Sequence, residues 1–587
     1  MDFLEEEIQY FLGLDIGGTW IKGCCSVAKT AKLKYLPTDF EEIAKGIVST
    51  RSALSEKTTV NECIASIQQI IENLSLRDKK LSAIGISTAG IVDYAGKRVL
   101  KAAAHLTALK NIGWIQSLEN EFKCPVVLIN DADASTIGIA ELGLLRGNKT
   151  VGVMPVGTGF GFSVWRNGRR WRPGKMLTLL GSIRTPAGFF DTIASASRLA
   201  TADSDNNLLQ IFINPKHTSI RLEYLQNLTK IINTAAILYN LDEVMICGGL
   251  ADAVTACNYP LEFELNKLLA EPLVELDKTV QVTVLKEGNK LQLYGAISLA
   301  RGEFSARSNQ VYKNYELIKT EVPYQESLRL EQMTTSELID LFWKTEKEAG
   351  EWMIKSLPFI ASVVDEIFSR INSGGRLIYV GAGTSGRIAA MDAVEVPCTY
   401  GFPEDRIFCI ISGGVADAAI EIESDFEEDA SSVPEMLLLN VTPVDVVIGI
   451  SASGTAYFVQ SALAFAKNRG AFSVMIQRDY SDEILPFCDV TIPMNSGNEV
   501  VAGSTRMKAG TATKKILNFI SSSLMIKMGK VSGSFMIDVA CINNKLIERA
   551  QNILGILYNL DNNDACQKLK EADMNLRNVI IKLNEGK

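Results

Sequence analysis

Five short apolar runs in this chain stop abruptly at glycines or hydroxyl residues, and that recurrence narrows the possible folds more than any other feature. Phe11-Leu-Gly-Leu-Asp15 meets Ile16-Gly17-Gly18-Thr19, and Val151-Gly-Val-Met-Pro-Val156 meets Gly157-Thr158-Gly159. Val244-Met-Ile-Cys247 meets Gly248-Gly249. Arg376-Leu-Ile-Tyr-Val380 meets Gly381-Ala-Gly-Thr384-Ser385-Gly386, and Asp445-Val-Val-Ile-Gly-Ile450 meets Ser451-Ala-Ser453-Gly-Thr455. Each reads as a buried strand entering a tight turn. The last two continue into helices, as in parallel α/β sheets whose loops gather at the C-terminal edge. Glycine-lined turns present backbone N–H groups as anion nests, and hydroxyls at a helix N-terminus bond phosphate oxygens. A hairpin turn alone explains the first glycines, and N-capping alone explains each hydroxyl loop.

Length and composition set the scale. At 587 residues the chain holds several domains, and 47% hydrophobic with 22% charged residues is ordinary globular composition. A net charge of −9 gives no electrostatic reason to expect nucleic acid or an anionic membrane as a partner. No apolar run approaches the roughly 18 residues of a membrane span. Eleven scattered cysteines without a CxxC pair, and an acidic N-terminus, predict reduced thiols in a cytoplasmic protein. Only two histidines are present, His105 and His217, which excludes multi-histidine metal sites and most histidine triads. Carboxylates, hydroxyls and backbone dipoles are left to carry any chemistry.

A polar stretch at 304–319 divides the chain. Leu293–Ala300 before it reads as a closing helix, and Thr334-Thr-Ser-Glu337 after it is a capping box opening a helix with Leu338, Phe342 and Trp343 on its apolar side. The expected organisation is residues 1–303, a linker at 304–319, a second α/β domain at 320–545 and a helical tail at 546–587.

In the first half, Val126-Val-Leu-Ile-Asn130 runs into Asp131 between two glycine turns, and Ile84-Gly-Ile-Ser-Thr-Ala-Gly-Ile-Val-Asp93 is a further glycine-rich segment. This series, closed by Gly248-Gly249, resembles the ROK sugar kinases of the actin-like ATPase superfamily over roughly residues 9–303. The resemblance implies a two-lobed fold using ATP and Mg²⁺. Asp131 would be the base for a sugar hydroxyl, and Asn130 would orient the sugar. Asp15 would face the metal. Gly17, Gly18, Thr19, Gly157, Thr158 and Gly159 would surround the phosphates, with Gly248 and Gly249 beside the adenosine. Phosphoryl transfer needs little more than positioning, charge neutralisation and one base. Two family features are missing: Leu177–Arg184 lacks the Glu and His of a GExGH segment, and no Cys lies between Cys124 and Cys247. No structural zinc is therefore expected. Either the acceptor differs from glucose-like sugars or this half is inactive.

In the second half, GxGxxG at 381–386 is not followed by the acid that binds a ribose, because the next strand, 406–411, ends in Ser412-Gly-Gly. Paired hydroxyl loops instead resemble a sugar isomerase (SIS) domain, which binds phosphosugars. Gly381–Pro397, Asn498–Thr511 and Met536–Lys545 sharpen this to the N-acetylmuramic acid 6-phosphate etherase family, from about Thr320 onward. The family reaction splits a D-lactyl ether by proton abstraction beside an aldehyde, elimination and hydration, with no cofactor. The resemblance implies that Glu395 protonates departing lactate, its apolar neighbours Val394, Val396 and Pro397 raising its proton affinity. The second carboxylate is Glu427 or Glu423, because an ungapped count sets Phe426 at the expected position. Thr384, Ser385, Ser451, Ser453, Thr455, Glu499, Ser504 and Lys508 would hold the amino-sugar phosphate. SIS domains often pair, which predicts a homodimer.

These readings combine as an etherase fused to an amino-sugar kinase, for recovery of cell-wall sugars. A non-catalytic phosphosugar sensor similar to glucokinase regulatory protein, and an amino-sugar phosphate isomerase, remain alternatives.

Overall fold

A computed structural model describes residues 8–17, 20–29, 45–49, 56–93, 98–102, 114–145, 149–171, 180–185, 188–270, 278–310, 319–327, 329–412, 431–478, 485–538 and 544–585. The chain forms two compact units, residues 1–308 with 430–441, and residues 309–429 with 442–587.

The first unit contains two five-stranded sheets of the same topology. One uses β1 (Ile8–Ile16), β2 (Trp20–Lys29), β3 (Lys45–Ser49), β4 (Leu81–Thr88) and β5 (Val126–Asn130), in the order β3-β2-β1-β4-β5. The other uses β6 (Val151–Pro155), β7 (Ser163–Arg166), β8 (Arg169–Trp171), β9 (Glu243–Cys247) and β10 (Gln281–Val284), in the order β8-β7-β6-β9-β10. In each, the first three strands pair antiparallel and the last two join parallel. Helix α1 (Asp131–Glu141) follows β5 directly, and helix α2 (Gly288–Ser308) lies across β1, β4 and α1. Glycines set that approach. A Cβ on Gly85 would stand 1.8 Å from the Ala296 carbonyl oxygen, and one on Gly295 would stand 2.0 Å from that of Ala134. Helix α2 runs to Ser308, so the first residues of the expected linker are helical instead.

A short helix from the second half of the sequence, Val433–Leu438, also belongs to this first unit and packs against α1 and α2. Val433 and Met436 are fully buried there. The boundaries expected from sequence did not include this excursion, because no motif marks it.

The second unit is built on β11 (Leu377–Gly381), β12 (Ile407–Ile411), β13 (Val446–Ile450), β14 (Phe472–Gln477) and β15 (Val490–Pro493), all parallel, in the order β12-β11-β13-β14-β15. Strands β11 and β13 are buried throughout, as near-continuous apolar runs covered on both faces should be. Three helices matter for the site: α3 (Thr335–Trp352), α4 (Gly383–Tyr400) and α5 (Lys508–Lys527). Thr334 and Glu337 complete the expected capping box on α3. The buried face of α3 is Leu341, Thr345 and Ala349, however, and Trp343 is exposed. Helices Asn544–Tyr558, Asn562–Lys570 and Leu576–Glu585 close the chain around a small core of their own.

Candidate functional site

Each unit presents one candidate site. In the first, Asp15 near the end of β1 is buried, and one carboxylate oxygen accepts a hydrogen bond from Ser87 Oγ at 3.1 Å. Asp131 is the first residue of α1. Its Oδ1 accepts from the Ala132 N–H at 2.8 Å and from Asn130 Nδ2 at 3.0 Å. Burial pushes the Asp131 carboxyl up to about 7, and the negative charges of Asp15, Asp133 and Asp191 add to the effect. Burial also raises Asp15, against the opposing pull of Lys22 and Ser87. A carboxyl near neutrality beside a second acid has the proton affinity a general base needs.

Asn130 is fully engaged inside the protein. Its Oδ1 caps α1 by accepting from the N–H groups of Ala132 and Asp133, and its Nδ2 also donates to the Gly90 carbonyl at 2.9 Å. It therefore fixes Asp131 and ties α1 to the Gly90 segment. The glycine loops also converge. The Gly157 carbonyl accepts from the Ala196 N–H at 2.9 Å, and a Cβ on Gly249 would lie 3.9 Å from Gly157 Cα, with Gly248 at φ +84°. The Gly159 carbonyl closes the turn onto the Gly157 N–H, while Thr158 is exposed. Gly18 and Thr19 lie outside the described residues. Sequence reasoning quoted Ser87 only within the 84–93 segment, without a role, and missed Lys22 and the buried ion pair of Asp133 with Arg170. Lone residues of these types carry no motif.

The second site follows from strand order. In a 2-1-3-4-5 sheet, neighbouring strands 1 and 3 send their connections to opposite faces, opening a crevice at their carboxyl ends. Here those strands are β11 and β13, with Gly381 paired to Ile450, so the loops 381–386 and 451–455 flank the crevice. Gly381 and Gly386 are needed for contact, since a Cβ on Gly381 would fall 2.7 Å from Gly386 Cα. Thr384 and Ser385 occupy the first turn of α4, which has no side-chain cap, so its N-terminal N–H groups face the crevice end. Ser451, Ser453 and Thr455 form a hydroxyl chain, with 2.6 Å between Ser453 Oγ and Thr455 Oγ1, and Ser451 Oγ accepts from the Gly454 N–H at 3.1 Å.

Helix α5 enters from the side. A Cβ on Gly510 would lie 3.9 Å from Thr384, which places the start of α5 against the start of α4. Glu499 is buried and caps α5, accepting from the N–H groups of Lys508 at 3.1 Å and Ala509 at 2.9 Å. Burial raises its proton affinity, and those two N–H groups oppose the shift. Lys508 is buried and its Nζ has no hydrogen-bond partner among the described residues. Burial lowers its proton affinity, against Glu499, Glu348 and Glu346. Ser504 is half-buried in the turn before α5.

Glu395 departs from expectation. Its side chain is 61% exposed and pairs with Lys514 Nζ at 3.5 Å, and Val394 is 67% exposed. The apolar surround inferred from Val394 is absent, because the chain turns that face of α4 outward. Glu395 also lies ten residues beyond Ser385, about 15 Å along the helix. The fold brings Thr384, Ser385, the 451–455 loop and the start of α5 together, and leaves Glu395 apart within one chain. Lys514 also approaches buried Asp392, which accepts from Tyr379 and Ser521; none of these carried a sequence signal. Glu423 and Glu427 lie outside the described residues. Among the described residues no cluster of acids, histidines and cysteines is arranged to hold a metal, and no helix is long and apolar enough to cross a membrane.

Sheet order and hydroxyl loops thus give the second unit a SIS-type architecture, while the first pairs two five-stranded sheets of like topology. Family comparisons agree: residues 11–183 match the ROK family, residues 359–467 the glucokinase regulatory protein N-terminal SIS domain, and residues 424–517 the SIS domain. Two N-acetylmuramic acid 6-phosphate etherases align with the second half. That of Symbiobacterium thermophilum is 38% identical over 46% of this chain and 89% of its own length, and that of Clostridium beijerinckii is 35% identical over 46% and 88%. Through this half the chain belongs to the N-acetylmuramic acid 6-phosphate etherase family. A ROK family glucokinase from Streptomyces griseus, solved with glucose and AMPPNP, covers 50% of this chain and 99% of its own at 20% identity and a TM-score of 0.40.

Proposed function

We propose that the second unit cleaves the D-lactyl ether of N-acetylmuramic acid 6-phosphate, giving N-acetylglucosamine 6-phosphate and D-lactate, and that the first unit supplies this substrate by phosphorylating the amino sugar. The observation that carries the first claim is the pair of hydroxyl loops at the β11–β13 switch point, set against buried Glu499 and Lys508 in a chain of etherase ancestry. The hydroxyls and free helix N–H groups suit a phosphate monoester. The ring-opened sugar then loses its C2 proton to a carboxylate, Glu427 or Glu423, and Glu395 protonates the departing lactate oxygen; water then adds across the C2–C3 double bond, restoring the C2 hydrogen and a C3 hydroxyl. Glu395 needs to come from a second copy of the chain to reach the hydroxyl loops, which accounts for its exposure and supports a homodimer with a shared site. Mixing a Glu395→Gln chain with one carrying Ser385→Ala and Ser451→Ala tests this. Regained activity in the mixture supports the shared site, and additive loss defeats it.

For the first unit the carrying observation is Asp131 at the start of α1, its carboxylate fixed by Asn130 and the Ala132 N–H, with burial and the charge of Asp15 raising its proton affinity to about 7. Buried Asp15, half-buried Asp131 and the converging glycine turns fit ATP with Mg²⁺, which Asp15 would hold. Bound Mg²⁺ offsets phosphate charge. Asp131 accepts the proton of the sugar hydroxyl, and Asn130 fixes its carboxylate. A mass-resolved product assay with ATP and N-acetylmuramic acid tests both units at once. The intact chain is expected to yield D-lactate, Asp131→Asn to yield nothing from the unphosphorylated sugar, and Glu395→Gln to accumulate the phosphosugar. Lactate from no substrate would sink the etherase reading.

A second reading, a phosphosugar-binding regulator, is favoured by the match to the regulatory protein's SIS domain and by Phe426 at the expected glutamate position. Tight binding of the phosphosugar without turnover, unchanged in Glu395→Gln, distinguishes it.

A further inference from the structure

Lys508 is 2% exposed, yet its ammonium has no hydrogen-bond partner among the described residues. A buried cation is expensive; the charges of Glu499, Glu348 and Glu346 favour it without bonding it, which leaves its N–H groups to be positioned by another contact. The group over it is the ring of Tyr324, whose centroid lies 5.3 Å from Nζ. Tyr324 is itself held. Its hydroxyl lies 3.3 and 3.5 Å from the two carboxylate oxygens of Glu348, and its carbonyl accepts from the Ser327 N–H at 2.9 Å. The segment around it is pinned on the loop before α5: the Gly503 N–H donates to the Thr320 carbonyl at 3.0 Å, and Asn498 Nδ2 donates to that of Pro323 at 3.4 Å. Tyr324 is thus carried to Lys508 by a fixed strap, not by a rotamer on a surface loop.

Resting on the phosphosugar reading of this site, we propose that Tyr324 is its positioning residue. Its ring holds the Lys508 ammonium by a cation–π contact, on the side away from the entering ligand. The three ammonium N–H groups stay free for an anionic oxygen of the substrate, either the sugar phosphate or the lactyl carboxylate. A hydrogen-bonding residue in place of the ring occupies some of those donors, and an aliphatic one removes the contact that fixes the ammonium.

The test uses the full chain with Tyr324→Phe, Tyr324→Leu and Lys508→Met, titrated with N-acetylglucosamine 6-phosphate and with N-acetylmuramic acid 6-phosphate. Tyr324→Phe keeps the ring and is expected to bind like the wild type. Tyr324→Leu is expected to bind about ten-fold more weakly, the worth of a desolvated cation–π contact. A loss confined to the second ligand assigns the lactyl carboxylate to Lys508, and a loss with both assigns the phosphate. If Tyr324→Leu binds as tightly as the wild type while Lys508→Met does not, the inference is overturned. It is equally overturned if Tyr324→Phe loses as much as Tyr324→Leu, since the Glu348 bond would then be the cause. Reductive methylation with peptide mass spectrometry reads the contact without a sugar. Lys508 should react faster in Tyr324→Leu than in the wild type, and equal rates overturn the inference. Should the wild-type chain bind neither phosphosugar, the reading of the site fails, and the methylation rates still decide the role of Tyr324.

Discussion

Asp131 joins catalytic potential to an energetic cost. Its carboxyl moves from an ordinary 3.8 to about 7 on folding. Between those values the folded chain keeps a proton that the unfolded chain has released. Its contribution is therefore most favourable below about pH 4 and declines as pH rises to about 7, where the buried group ionises. Asp131→Asn is expected to raise the melting temperature at pH 8, and to leave it nearly unchanged at pH 4. The same substitution should slow phosphoryl transfer by about 100-fold to 10,000-fold, the range for loss of a general base. Calorimetry at the two pH values and the kinase assay check both halves of that trade. A lower melting temperature at pH 8 would show that the asparagine fails to keep the Ala132 and Asn130 bonds. The Asn-Asp pair itself was legible in sequence. The role of Asn130 was not, because only the fold shows both ends of its amide already spent.

At the scale of elements, two helix starts carry the argument. Helix α1 is held against α2 by glycines, and Gly295→Ala would drive a methyl into the Ala134 carbonyl. Overpacking of this kind costs about 1–3 kcal/mol, and here it separates the two helices beside Asp131. Denaturant unfolding should show the loss, and the kinase reaction should fall with it. Helix α5 depends on Glu499, whose carboxylate accepts two backbone N–H groups. Glu499→Ala leaves both buried donors unpaired and is expected to destabilise the chain by about 2–3 kcal/mol, with Glu499→Gln recovering part of it. Helix α1 begins where the apolar run Val126–Ile129 stops, which is why sequence placed it, whereas α5 follows the polar turn Ser504–Met507 and was seen only as part of the 498–511 motif. The apolar side of α3 was misplaced, since Leu338, Phe342 and Trp343 are a local pattern, and the neighbours of α3 chose Leu341, Thr345 and Ala349 instead.

Across the whole molecule, the first unit is completed by residues that follow it in sequence by more than a hundred positions. The helix Val433–Leu438 covers parts of α1 and α2 with fully buried Val433 and Met436. A chain ending at residue 310 would leave that apolar surface open. It is expected to unfold at lower temperature than the first unit of the full chain, and to bind a hydrophobic dye. Met436→Ala in the full chain should cost about 2–5 kcal/mol and lower the first transition seen by calorimetry. An effect confined to the other transition would contradict the assignment.

The strand-to-glycine and strand-to-hydroxyl junctions determined, by themselves, that this is an α/β protein with glycine- and hydroxyl-rich loops after its strands in both halves. Buried strands and tight turns are local consequences of apolar runs and glycine, so a linear reading recovers them. The long runs at 381–397 and 498–511 likewise carried the etherase family in residue identity alone. Tertiary structure decided what depends on neighbours distant in sequence. It set the exposure of Glu395 and its distance from Ser385, the burial of Lys508 under Tyr324, and the proton affinity of Asp131 among three other acids. Burial and charge are sums over everything that surrounds a group, and those surroundings exist only once the chain has folded.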